Sequence, residues 1–124
     1  MTNHGFGLLY EMGCGKTLTA IAITGAAFLK GKVKKLLVVA PASVVPVWSK
    51  EFDNFADFPY MVGTMQGTAN KKIEILKRLQ LSEQHMSKPM LYVAVINYES
   101  VWREQIFDTI KKWNPDMIIC DESQ

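Results

Sequence analysis

The sharpest chemistry in the sequence sits in one short turn, where Gly13, Gly15, Lys16 and Thr17 follow each other closely. Consecutive backbone N–H groups in such a turn, together with the positive end of a following helix, wrap a di- or triphosphate. Glycines are required there because a Cβ would block the close approach. Lys16 would neutralise the β- and γ-phosphates, and the Thr17 hydroxyl would sit on Mg²⁺, which prefers hard oxygen ligands alongside phosphate oxygens and water. The general phosphate-loop pattern asks for Gly or Ala five residues before the second glycine, and Tyr10 stands at that position. The bland reading is a glycine-rich turn with a surface lysine; a strand before it and a helix after it are the context that favours phosphate.

A second candidate is the acidic pair Asp121 and Glu122, directly after an apolar run. An acid at the carboxyl end of a parallel strand lies in the crevice where such sheets bind ligands. Asp121 could therefore hold a magnesium ion, and Glu122 could orient or deprotonate an attacking water. Two acids ending a strand also make an ordinary solvated turn, and it is the upstream phosphate loop that gives the pair its meaning.

Both sites need strands and helices to position them. Residues 6–10 read as a buried strand. From 15 to 30 the apolar Leu18, Ile21, Ala22, Gly25, Phe28 and Leu29 fall on one helical stripe closed by Gly31. Residues 36–40 form a second apolar strand. Ser43 can then cap a helix whose Val45, Trp48, Phe52 and Phe55 share a face, with Pro46 tolerated in its first turn. A third strand is expected over 60–65, and after Gly67 a helix that turns Ile73, Leu76 and Leu79 inward and several Lys and Arg outward. Residues 82–89 read as a polar loop and 91–96 as a strand. Trp102, Ile106, Ile110 and Trp113 then repeat at helical spacing until Asn114 and Pro115 stop the helix, and 117–120 is the last strand. Strands alternating with helices predict an α/β domain, a parallel sheet with helices on both faces.

Composition sets bounds and little more. With 124 residues, 48% hydrophobic and 21% charged, the sequence has material for one core, and a net charge of +2 is too mild to advertise nucleic acid. Cys14 and Cys120 show neither a metal-ligand spacing nor a secreted disulfide framework, so a reducing cytoplasm is the expected setting. The start lacks a signal-peptide pattern, and the apolar run 36–48 is broken by Pro41 and Pro46, so no membrane association is expected.

The run Tyr10-Glu11-Met12-Gly13-Cys14-Gly15-Lys16-Thr17 resembles motif I of the Swi/Snf-like branch of superfamily 2 helicases, which usually reads Asp-Glu-Met-Gly-Leu-Gly-Lys-Thr. The segment from Val38 to Trp48 is similar to motif Ia, including its Pro-x-Ser start and the later Pro-x-Trp. Asn97-Tyr98-Glu99 resembles the family's Thr-Tyr-Glu, and Asp121-Glu122-Ser123-Gln124 stands where motif II reads Asp-Glu-Ala-His or Asp-Glu-Ser-His. Gln124 departs from the usual His, which couples the nucleotide to the DNA site in relatives, and Tyr10 departs from the usual acid. The compact form of motif I suggests a phage or bacterial member.

The resemblance, which runs from Phe6 to Gln124, implies a P-loop NTPase of RecA-like fold: the first lobe of a motor that uses ATP to translocate on double-stranded DNA. It implies nucleotide contacts at Met12, Gly13, Cys14, Gly15, Lys16, Thr17 and Leu18, and Mg²⁺ held by Thr17 and Asp121. Lys16, Asp121 and Glu122 would be the catalytic residues, and Pro41, Ala42, Ser43, Asn97 and Tyr98 would face DNA. On the residues alone, Ser43 is equally a helix cap and Tyr98 a strand-end aromatic.

The family's upstream glutamine motif, its motif III and its second lobe have no counterpart within residues 1–124, so a partial domain is expected, from a longer protein or a truncated gene product. The missing lobe supplies arginines to the γ-phosphate, whose loss typically lowers turnover by roughly 10³ to 10⁵. The motif III strand would lie between the motif I and motif II strands, so its absence predicts unpaired flanks on both, and marginal stability, a rearranged sheet or self-association. An ATP-driven translocase module, a nucleotide- or nucleic-acid-binding module without turnover, and an interaction fragment docking through an open sheet edge are the competing functions.

Overall fold

The computed structural model describes residues 8–12, 17–85 and 88–121, with side chains for 20–85 and 88–121. Five strands, β1 (Leu8–Met12), β2 (Lys35–Ala40), β3 (Tyr60–Thr64), β4 (Leu91–Asn97) and β5 (Met117–Asp121), form one sheet in the order β1-β5-β2-β4-β3. Every pairing is parallel. Parallel neighbours need long crossovers. These are α1 (Thr17–Leu29), α2 (Val45–Phe55), α3 (Ala69–His85), and the pair α4 (Tyr98–Val101) and α5 (Glu104–Trp113). The expected α/β architecture is the one observed.

Helices cover both faces because β2 and β4 are apolar at every central position, so alternate side chains feed two cores. Leu36, Val38, Ala40, Leu91, Val93 and Val95 meet α1 and α2 through Ile21, Phe28, Trp48 and Phe52. Leu37, Val39, Tyr92, Ala94 and Ile96 meet α3 and α5 through Leu76, Leu79, Ile106, Ile110 and Trp113. In α1, Gly25 lets the ring of Phe58 lie against the helix backbone: a Cβ there would fall 2.4 Å from Phe58 Cε2.

Several local expectations are corrected. Strand β1 runs on to Met12, and α1 begins at Thr17. The buried stripe of α1 is Ala20, Ile21, Thr24 and Phe28, while Ala22 is exposed and Leu29 is 71% exposed, because 22, 26 and 29 fall on the helix side away from that stripe. Ser43 does not cap α2. The N-cap is Val44, without a side-chain hydrogen bond, and Pro46 fills the first turn. Phe55 is 44% exposed where α2 ends. Helix α3 continues through Ser82 to His85 instead of yielding to a loop, since no Gly or Pro interrupts it before Pro89. The last helical stretch breaks at Arg103, whose extended backbone turns Trp102 out to 75% exposure and separates α4 from α5. Asn114 closes α5 in the left-handed conformation at φ 59°.

The expected gap beside the motif II strand does not form. Strand β5 is flanked by β1 and by β2, and among the described residues the outer strands of the sheet are β1 and β3. Pairing β1 directly with β5 satisfies the backbone groups that a central gap would leave uncovered. Among the described residues no helix is long and apolar enough to cross a membrane.

Candidate nucleotide site at the carboxyl edge of the sheet

Parallel strands that start on one side of a sheet must all end on the other, so the segments following them share one edge. The register is tight: Met12 is paired with Asp121, Ala40 with Asn97, and Val39 with Cys120. The residue before the phosphate-loop segment, the start of the 41–43 segment, the 97–98 segment and the acid at the end of β5 therefore form a row. In open α/β sheets this edge is where ligands bind.

Asp121 is the centre of that row. It is 2% exposed, and its Oδ2 accepts a hydrogen bond from Trp48 Nε1 at 3.0 Å. Its backbone carbonyl accepts from the Tyr98 hydroxyl at 2.9 Å. Tyr98 is half-buried, so its hydroxyl serves the end of β5, and the residue opens α4 instead of ending the strand.

A second polar group lies at the ends of β3 and β4. Lys72 Nζ donates to Asn97 Oδ1 at 3.4 Å and also to Ser100 Oγ. The Asn97 amide donates to Glu99 at 2.9 Å. That bond, then a backbone N–H and more weakly the charge of Lys72, holds Glu99 below the usual carboxylate range despite a small opposing desolvation. Lys72 and Asn97 line a shallow cleft of about 190 Å³ with Ala42, Val45, Gln66 and Gly67. Ala42 and Asn97 thus share one cleft, with Ala42 and Ser43 exposed and Pro41 half-buried beside them. A larger cleft, about 640 Å³, opens at the opposite edge between Phe28, Lys34, Lys88 and Tyr92, away from every strand carboxyl end.

Gly13, Cys14, Gly15, Lys16 and Glu122 lie outside the described residues, as do the side chains of Met12, Thr17 and Leu18. For Thr17 the backbone is described, and it is the first residue of α1. The strand before the loop and the helix after it are thus both present. Sequence reasoning placed Trp48 on a helix face and Lys72 among outward cations, and it missed their partners. The available signal was that a buried indole N–H usually finds an acceptor.

The fold and this edge define an α/β lobe of the RecA-like kind. A family model, the SNF2-related domain, matches residues 1–124, and the chain belongs to that family, within the Swi/Snf-like branch of the superfamily 2 helicases. It is 29% identical over 119 residues to a DNA repair and recombination protein RAD54-like of Drosophila ananassae, covering 90% of this chain and 14% of the relative. It is 31% identical over 118 residues to DNA repair and recombination protein RAD54B of Homo sapiens, covering 90% and 12%. Chromatin remodeling factor mit1 of Schizosaccharomyces pombe is 26% identical over 123 residues, covering 99% and 8%. The chain therefore spans a small part of the length of these relatives.

Proposed function

We propose that this chain is the ATP-binding N-terminal lobe of a DNA translocase, in which ATP hydrolysis drives movement on double-stranded DNA. The observation that supports the reading is the register of Met12, the residue before the Gly13–Lys16 sequence, with Asp121, the acid that ends β5. Membership of the SNF2-related family and the names of the relatives, which concern DNA repair, recombination and chromatin remodelling, support DNA as the partner.

In this reading Met12 to Leu18 cradle the phosphates, and Lys16 neutralises their charge. Magnesium, bound together with ATP, would supply positive charge against the charge that develops on the phosphates. Thr17 and Asp121 are its protein ligands, and the donor set fits: a hydroxyl residue at the first position of α1 and a carboxylate at the end of the adjacent strand are hard oxygen donors. The hydrogen bond to Oδ2 leaves further lone pairs on that carboxylate. Glu122 orients and deprotonates the attacking water. Ala42, Ser43 and Asn97, at the exposed cleft, take the DNA backbone together with Pro41 and Tyr98, and a second helicase lobe completes the motor. The setting is cytoplasmic.

Calorimetric titration of the chain with Mg²⁺-ATP, with Lys16→Ala as control, tests the assignment. Binding that the substitution removes is the expected result. A folded chain that binds no nucleotide would overturn it.

A further inference from the structure

Asp121 is held from both faces of the sheet. Trp48, in the core beneath α1 and α2, donates to its carboxylate, and Tyr98, packed against the opposite core, donates to its carbonyl. A buried indole usually finds some acceptor, and a backbone carbonyl would have satisfied it. Here the acceptor is one oxygen of a short side chain with few rotatable bonds. A hydrogen bond to that oxygen selects the carboxylate's rotamer and restrains its rotation.

We propose that Trp48 is a positioning residue for the Asp121 carboxylate, orienting it toward the magnesium ion of Mg²⁺-ATP. The proposal rests on the reading of Asp121 as a metal ligand. Its physical basis is that hydrogen-bond partners behind a ligating carboxylate fix its direction and basicity, and losing one typically costs about 10- to 100-fold in metal affinity. Trp48 is only 1% exposed, and among the described residues its polar link to the strand-end site is the hydrogen bond to Asp121.

The test is calorimetry of the chain and of Trp48→Phe with ATP, once with Mg²⁺ and once with EDTA. The expected result is Mg²⁺-ATP binding weakened on the order of tenfold, with binding in EDTA unchanged. Equal weakening in both buffers would mean a purely structural role and would overturn the proposal, as would no weakening in either. If the wild-type chain binds ATP in neither buffer, the nucleotide-site reading falls and this proposal with it, so the two failures are distinguishable. Should Trp48→Phe fail to fold, benzothienylalanine at position 48 keeps the shape of the ring and removes only the N–H, and the same two titrations decide.

Discussion

The indole N–H of Trp48 ends on the carboxylate of Asp121, whereas the equally buried indole N–H of Trp113 has no hydrogen-bond partner among the described residues. A buried donor without an acceptor forfeits its hydration, and a hydrogen bond to a charged group is worth about 1.5–3 kcal/mol. Trp48→Phe should therefore destabilise the chain by at least about 1 kcal/mol more than Trp113→Phe, since the second change also removes an unsatisfied group. Urea unfolding of the two variants gives the comparison, and equal losses would count against the bond.

At Gly25 the usual helix rule is expected to reverse. Alanine ordinarily stabilises a helix interior relative to glycine by about 1 kcal/mol. Here the new methyl would meet a ring that is itself packed 5.8 Å, centroid to centroid, from Phe28. Gly25→Ala should cost about 1–3 kcal/mol, with partial recovery in the double variant Gly25→Ala, Phe58→Leu. Thermal melts of the single and double variants measure both effects.

Trp102 and Trp113 were expected to share one helix face, yet they differ from 75% to 1% exposure. Trp102→Ala should change stability by no more than about 0.5–1 kcal/mol, the loss of an exposed stack on Phe107. Trp113→Ala should cost about 3–5 kcal/mol. Comparable losses in denaturant unfolding would contradict the break at Arg103.

Alkaline pH should loosen the junction of α2 with β3. The Tyr60 hydroxyl donates to Asp53, and that bond first, then burial and the negative charge, raise the Tyr60 pKa from 10.0 to about 12. A raised folded pKa means that the folded state holds the proton longer. The stabilisation is complete below the unfolded value near 10 and is lost as pH climbs through about 12. Ultraviolet titration of tyrosinate should show a late component that is lost in Tyr60→Phe and shifted down in Asp53→Asn, alongside Tyr92, whose hydroxyl burial and the charge of Glu83 also push up.

In the full-length protein, Glu122→Gln should retain Mg²⁺-ATP binding while DNA-stimulated hydrolysis falls by at least about 10²-fold, the contribution typical of a general base. Hydrolysis at the wild-type rate would remove Glu122 from the role assigned to it.

The element order was legible because it depends on local pattern. The apolar runs of β2 and β4 and the helical repeats centred on Trp48, Leu76 and Ile110 are properties of neighbours in sequence, and Trp48, Leu76 and Ile110 bury as expected. The Asn114 stop was legible for the same reason. Local pattern failed where the tertiary environment outvoted it. Leu29 is apolar but lies with Ala22 and Ala26 on the exposed side of α1, and Phe55 is 44% exposed at the last residue of α2.

What the sequence by itself determined is the alternation of strands and helices and the residue types at their ends, because both follow from side-chain periodicity and turn chemistry. What only the tertiary structure decided is adjacency: β1 beside β5, Met12 level with Asp121, and Trp48 and Tyr98 both within hydrogen-bonding reach of Asp121. Pairing partners are chosen by the joint packing of all the elements and by the need to satisfy every backbone group at a sheet flank. No stretch of sequence read alone carries that information.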